Sequence, residues 1–228
     1  MKTAKILYQV QPGDEKKLIK IPQLLHGDFY YCHEYLVNPK GWFDRLFAEI
    51  PFTQGNITVY GKTYPERRLT CMFSIDPENK YYGYSGKTNE LLPMTPLLNF
   101  LRADLSRIVF DNKYDNDGNP IVFNTVLANY YRDGNDYISM HNDSEQSLVP
   151  GMPIASVSIN CVRHFDLHCI ENACMNNGLT PHEKFRIDLN SGSLLIMGRN
   201  SQKYYKHGVP VEKTVHTPRL NLTFRVAK

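Results

Sequence analysis

Residues 218–225 read PRLNLTFR, a strand with two unlike faces. Side chains on a strand alternate between faces. Leu220, Leu222, Phe224 and Val226 therefore share one side, and Arg219, Asn221, Thr223 and Arg225 the other. The first set belongs against a core. The second is either a solvated face or the lining of a polar pocket. Upstream, from residue 121 on, β-type segments recur: VFNTVLANYY, DYISMHND, IASVSIN, RHFDLHCI, KFRIDL and GSLLIMG. Turn-rich links such as RDGN, VPGMP and NSGS separate many of them, the pattern of a sandwich or barrel.

The half before residue 121 has a different texture. YLVNPKGWFDRLFAEIPF places Trp42, Phe43, Leu46, Phe47 and Ile50 at near-helical spacing, with Asn38 and Pro39 as a start signal. A second helix is expected after Thr95 and Pro96, with Leu98, Leu101, Leu105 and Ile108 on one side. DNKYDNDGNP is a polar loop. Helices ahead of a β-run predict a mostly β, α+β protein: a jelly roll backed by N-terminal helices. Residues 1–120 are expected to form the helical extension and a lid, and 121–228 the core, in one compact unit.

The chain has 228 residues, a net charge of +3 and five cysteines at irregular spacing. That spacing suits reduced thiols in an intracellular protein, nucleus or cytoplasm not distinguished. No apolar run approaches the roughly 20 residues of a membrane span, and no signal peptide is read. The mild charge permits a nucleic-acid partner without predicting one.

Two His-x-Asp pairs offer metal ligands: His141 with Asp143, and His164 with Asp166. On a strand either pair would point to one face. A carboxylate and two neutral imidazoles make the facial triad of a six-coordinate Fe(II), which leaves positions open. A nearby guanidinium can grip a dicarboxylate bidentately. If the polar side of PRLNLTFR and that of NYYRDGNDYISMHND line one barrel mouth, all these parts meet.

In the order NYYRDGNDYISMHND, PIASVSI, GSLLIMGRNSQKYYKHGVP and PRLNLTFR, the chain resembles the AlkB family of Fe(II)/2-oxoglutarate dioxygenases. The likeness is greatest to the branch that repairs alkylated duplex DNA, and it covers about residues 57–226. The resemblance implies iron on His141, Asp143 and His207. It implies 2-oxoglutarate bound by Asn129, Tyr131, Arg219, Asn221 and Arg225, with Arg219 on the distal carboxylate; Thr223 lies on the same inward face. Glu145 matches a carboxylate that touches the exocyclic amine of the target base. His164 then belongs to a structural strand. His216 is the rival distal ligand, set aside because GSLLIMG leads into His207 and a turn with Gly208 and Pro210 follows it. A zinc site on Cys161, Cys169, Cys174 and His182 fits no standard spacing.

Tyr60, Tyr81, Tyr82 and Tyr84 lie among Lys62, Arg67, Arg68 and Lys87, a composition suited to a nucleic-acid lid. An enzyme that acts on a base takes it out of the stack and holds it between flat groups. By resemblance, Tyr82 and Tyr84 are base-pocket aromatics facing His141. VYGK is the hairpin whose tip, Tyr60 with Gly61 and Lys62, fills the gap left by a flipped base. Arg67 and Arg68 are expected at phosphates; the ERR after Pro65 departs from the family pattern and leaves open which one matters. The expected activity is oxidative demethylation of N-alkylated bases in DNA, single- or double-stranded. It would use Fe(II), 2-oxoglutarate and O₂ and release formaldehyde. The alternatives are a demethylase of RNA or protein, and a non-catalytic reader of damaged nucleic acid. No membrane partner is expected, and a monomer is.

Overall fold

The computed structural model describes residues 5–6, 13–22, 24, 28–59, 61–76, 81–84, 87–115, 117–170 and 184–228. In chain order the elements are β1 (Lys5–Ile6), β2 (Ile19–Lys20), β3 (Phe29–Cys32), α1 (Pro39–Glu49), β4 (Thr53–Val59), β5 (Lys62–Ser74), β6 (Tyr81–Tyr84), β7 (Lys87–Glu90), β8 (Leu92–Pro93) and α2 (Pro96–Phe110). Then follow β9 (Thr125–Tyr131), β10 (Ile138–His141), β11 (Ile154–Ile159), β12 (Arg163–Cys169), β13 (Lys184–Leu189), β14 (Leu194–Met197), α3 (Ser201–Tyr204), β15 (Tyr205–Val209) and β16 (Arg219–Arg225).

Two sheets face each other. The larger runs β2-β3-β14-β11-β16-β9-β5-β4, with β8 beside β5; the smaller runs β1-β13-β12-β15-β10. The pairing is antiparallel except where the two-residue strands β1 and β8 join. From β9 onward the chain crosses back and forth between the sheets: β9, β11, β14 and β16 lie in the larger, and β10, β12, β13 and β15 in the smaller. This is the jelly roll expected from the recurring short strands. Phe165, Leu167, Ile187, Leu195 and Val209 fill the space between the sheets.

The outer face of the larger sheet carries the helices. Leu220, Leu222 and Phe224 of β16 are fully buried there with Leu46 of α1 and Leu98, Leu101 and Leu105 of α2. Truncating one such leucine to alanine costs about 2–5 kcal/mol, because the transfer energy is lost and a cavity remains. Both helices start where the sequence predicts. Asn38 accepts the Gly41 N–H (3.3 Å) and Thr95 accepts the Leu98 N–H (3.3 Å), and each is followed by proline. The sheet runs across residue 120. β5 pairs with β9 from Leu69↔Tyr130 to Ser74↔Thr125, so the N-terminal segment supplies strands to the same sheet as the core.

Two local expectations change. The turn expected after His207 is absent: YKHGV forms β15, paired with both β10 and β12. Gly208 sits inside this strand because a Cβ there would meet the Ile138 carbonyl oxygen at 2.8 Å and the Met140 sulfur at 3.1 Å. Secondly, the thiols are not all reduced. Cys32, Cys71 and Cys161 are free, whereas Cys169 is disulfide-bonded. Cys169 is thereby removed as a zinc ligand; Cys174 and His182 lie outside the described residues. No described helix is long and apolar enough to cross a membrane.

Candidate active site

The inward face of the larger sheet is polar at its centre. Register pairs Arg219 with Tyr131, and Asn221 with both Asn129 and Ser158. It pairs Thr223 with Leu127 and Ser156, and Arg225 with Thr125. The alternation read in PRLNLTFR therefore separates core from pocket, not core from water: all seven residues of β16 are buried. A small cavity of about 40 Å³ lies over this face and is also lined by His141, Asp143 and His207.

These three are the metal-ligating cluster found among the described residues, with ligand atoms all within 4.8 Å of one another. His141 and His207 are register partners on β10 and β15, their ring centroids 4.4 Å apart. His141 Nδ1 lies 2.8 Å from the Ser139 carbonyl, which can only accept. A proton on Nδ1 can therefore be donated there, and Nε2 lies 3.5 Å from Asp143 Oδ1. His207 is buried and stacks on Phe165 at 5.2 Å. Burial, and then the neighbouring His141, push its pKa down to about 3, which leaves a neutral imidazole.

Asp143 reaches the site in a way periodicity did not foresee. β10 ends at His141, so Asp143 is on a loop and not two along a strand. Its N–H donates to Gln202 Oε1 (2.8 Å), and the Asn142 amide donates to the Gln202 carbonyl (3.2 Å). Burial alone would raise the Asp143 pKa; the Arg225 guanidinium, 3.1 Å away, outweighs it and holds the group well below the usual carboxylate range. Gln202 is a functional residue for which the sequence carried no signal. Ser156 and Ser158 did leave one: two serines on one face of an otherwise apolar, wholly buried strand.

The rival pair occupies a better strand and has other work. His164 and Asp166 share the outward face of β12. His164 Nδ1 lies 2.7 Å from Asp188, its cross-strand partner, and 3.3 Å separates Nε2 from Glu212. Asp166 takes both ends of the Arg186 guanidinium at 2.6 and 2.8 Å. His216 is exposed on the loop before β16 and is outside the cluster.

Arg219 fits an anionic ligand. It is 1% exposed, and burial lowers its pKa. Nη2 donates to Ser158 Oγ (2.8 Å), and the guanidinium lies over the Tyr131 ring at 5.2 Å. Nε and Nη1 have no hydrogen-bond partner. A buried cation with two idle donors is costly unless an anion completes it. Asn221 bridges the rest of the pocket: it donates to Ser156 Oγ (2.8 Å) and accepts from Asn129 (3.2 Å) and Thr223 (3.1 Å).

Beside the cavity opens a groove of about 490 Å³, walled by His141, Met140, Tyr137, Ile57, Arg67, Arg68 and Glu145. Burial pushes the Glu145 pKa up, with Arg225 opposing at 3.9 Å and Asp143 adding to the rise. Arg67 and Lys62 are exposed. Arg68 is not placed at a surface: it is 4% exposed, and Nε donates to Asn129 Oδ1 at 2.8 Å, an arrangement that does not match the phosphate contact expected of it. β4 and β5 form the expected hairpin, with Val59 paired to Lys62 and Gly61 at φ 75°, a left-handed conformation suited to glycine. Tyr60 lies outside the described residues. Tyr82 and Tyr84 are on β6, paired with β7.

Between residues 28 and 225 the chain matches the 2OG-Fe(II) oxygenase superfamily model. It is 32% identical over 211 residues to the DNA oxidative demethylase ALKBH2 of Mus musculus, covering 88% of this chain and 82% of that protein. The chain belongs to the AlkB family of 2OG-Fe(II) oxygenases. Against the ALKBH2 of Homo sapiens the identity is 33% over 189 residues, covering 80% of this chain and 66% of that protein, just under two thirds of the relative's length. The Mus musculus alpha-ketoglutarate-dependent dioxygenase alkB homolog 3 is 34% identical over 183 residues (80% and 59%). The jelly roll is shared with a 2OG-Fe(II) oxygenase family oxidoreductase from Burkholderia pseudomallei (TM-score 0.58, 16% identity, covering 98% and 95%) and with OsALKBH1 (TM-score 0.53, 19% identity, 86% and 97%). The AlkB family's chemistry takes Fe(II), 2-oxoglutarate and O₂. The residues fit: two imidazoles and a carboxylate for iron, and a buried guanidinium with idle donors for the dicarboxylate.

Proposed function

We propose that the chain is an oxidative demethylase that repairs N-alkylated bases of the 1-methyladenine and 3-methylcytosine type in DNA. The observation that carries this reading is the groove beside the triad, with His141 and Glu145 both in its wall. Methylation at those ring nitrogens gives the base a positive charge. A carboxylate at Glu145 accepts from the exocyclic amine and favours the cationic lesion over the neutral parent base. The His141 ring offers a flat face for stacking, and Arg67 and Lys62 are cations at hand for phosphates.

Iron bound by His141, Asp143 and His207 would supply the oxidising chemistry, with O₂ and 2-oxoglutarate consumed and succinate and CO₂ formed. The chain's own residues do the rest. Arg219, with Ser158 and Tyr131 behind it, fixes the distal carboxylate of the co-substrate. Asn129 and Asn221 line its side, and Phe165 and Leu189 keep the pocket apolar beyond them. The groove holds the base with its methyl group toward the triad. One oxygen atom enters the C–H bond of that methyl. The hydroxymethyl adduct then breaks its C–N bond, leaving the unmethylated base and formaldehyde.

The names of the ALKBH2 relatives support DNA as the polymer, and the enzyme is read as an intracellular monomer. The test compares formaldehyde release from the same lesion in single-stranded DNA, duplex DNA and RNA, and from a methyl-lysine peptide. The reading expects DNA to be fastest. RNA fastest would move the assignment to RNA repair; the peptide fastest, or release from none, would end the nucleic-acid reading.

A further inference from the structure

Arg68 stands between the two halves of this site. It lies near the end of β5's pairing with β9, on the face shared by Thr70 and its register partner Asn129. A diagonal neighbour across a sheet is about 7–8 Å away, within reach of an arginine. The side chain makes that reach: Nε donates to Asn129 Oδ1 at 2.8 Å in a buried bond, while Arg68 also lines the nucleobase groove with His141. Glu66, two residues back on the same face and 1% exposed, places a carboxylate 3.8 Å from Nη2.

The bond decides how Asn129 points. An amide has one accepting and one donating end, and the two are interchangeable until a partner fixes them. Arg68 can only donate, so the oxygen of Asn129 must face it. The nitrogen is thereby turned to Asn221 Oδ1, 3.2 Å away, on the floor of the co-substrate cavity. Asn221 in turn donates to Ser156 and accepts from Thr223. One buried guanidinium on the groove side thus sets the orientation of a chain of amides beneath the co-substrate.

We infer that Arg68 is a positioning residue for 2-oxoglutarate, acting through Asn129, and not a phosphate contact. The inference rests on Asn129 lining the co-substrate pocket and is independent of which methylated polymer is the substrate.

The test is an anaerobic titration of the Fe(II)-loaded protein with 2-oxoglutarate, followed by the visible charge-transfer band, with no nucleic acid present. Arg68→Met keeps the length of the side chain and removes its donors. Its 2-oxoglutarate Kd is expected to rise about tenfold, with Fe(II) affinity unchanged. In an Asn129→Ala background the same substitution is expected to add little, because coupled residues are not additive. Glu66→Gln/Arg68→Met removes both charges and guards against loss of folding from a stranded carboxylate; it is expected to show the same Kd rise. An unchanged Kd in either folded variant, or full additivity with Asn129→Ala, overturns the inference. Failure of the wild-type protein to bind 2-oxoglutarate would instead overturn the co-substrate reading itself.

Discussion

At the scale of single residues, two identical His-x-Asp patterns end in opposite roles because of their neighbours. His164 and Asp166 lie on the outward face of β12 against side chains of β13, Asp188 at 2.7 Å and Arg186 at 2.6 Å, away from the cavity. His141 and Asp143 face His207, whose imidazole is held neutral by burial. Asp143→Ala is expected to abolish Fe(II)-dependent 2-oxoglutarate turnover, and His164→Ala to leave most of it; succinate release measures both, and the reverse result would mean the wrong pair was chosen. His207 also makes a stability prediction. Its folded pKa of about 3 lies below the unfolded value of about 6.5, so at acid pH the unfolded state binds the extra proton. Its contribution is neutral above that upper value and destabilising as pH falls toward the lower one. Between about pH 7 and about pH 5 the metal-free protein should lose roughly 2 kcal/mol through this group. His207→Gln should lose correspondingly less, as read from urea midpoints at the two pH values. Equal losses would show that His207 is not held neutral.

At the scale of elements, β16 was legible because its alternation is strict and its polar side carries two arginines, more charge than a sheet face turned to a core tolerates without a ligand. Arg219→Lys keeps the charge but loses the fork, so the KM for 2-oxoglutarate should rise about tenfold or more, roughly 1.4 kcal/mol or above. An unchanged KM would remove Arg219 from the distal carboxylate. β15 was less legible: YKHGV is short, and its glycine reads as a turn, although the glycine is there to let β10 approach closely. The position of Asp143 was reached by a periodicity that does not apply, since a loop pinned by Gln202 carries it. The burial of Arg68 was not legible, because sequence shows charge and not burial. The β4–β5 hairpin, with Gly61 in a left-handed turn and Lys62 exposed, suits the wedge expected at Tyr60. A flipped base leaves a hole in a duplex that a flat side chain can fill, and a single strand has no such hole. Tyr60→Ala should therefore slow repair of duplex DNA far more than of a single strand, in single-turnover rates at fixed salt. Equal slowing would return Tyr60 to a packing role.

At the scale of the molecule, the jelly roll solves a problem of two solvents. One face of the larger sheet is buried in hydrocarbon against α1 and α2 and holds the strands rigid. The other is polar and closed over by the smaller sheet, which brings His141 and His207 across from β10 and β15. Both histidines thus stand on neighbouring strands of the smaller sheet, with Asp143 on the loop after β10, and they share one cavity with Arg219 and Asn221 of the larger sheet. The helices, the strand run and the polar strand face were readable from periodicity; the folding of residues 1–120 into the same sheet as the rest was not, because pairing between distant strands leaves no local pattern.

In the proposed reaction the groove presents an N-methyl group to this triad. It is tested most directly by the intact mass of an oligonucleotide carrying one 1-methyladenine after incubation with Fe(II), 2-oxoglutarate and air. Conversion to the mass of the unmethylated strand is expected, with one formaldehyde and one succinate for each methyl lost, and no conversion by Asp143→Ala. An unchanged mass alongside 2-oxoglutarate turnover in the wild-type protein, or conversion that persists in Asp143→Ala, would contradict it.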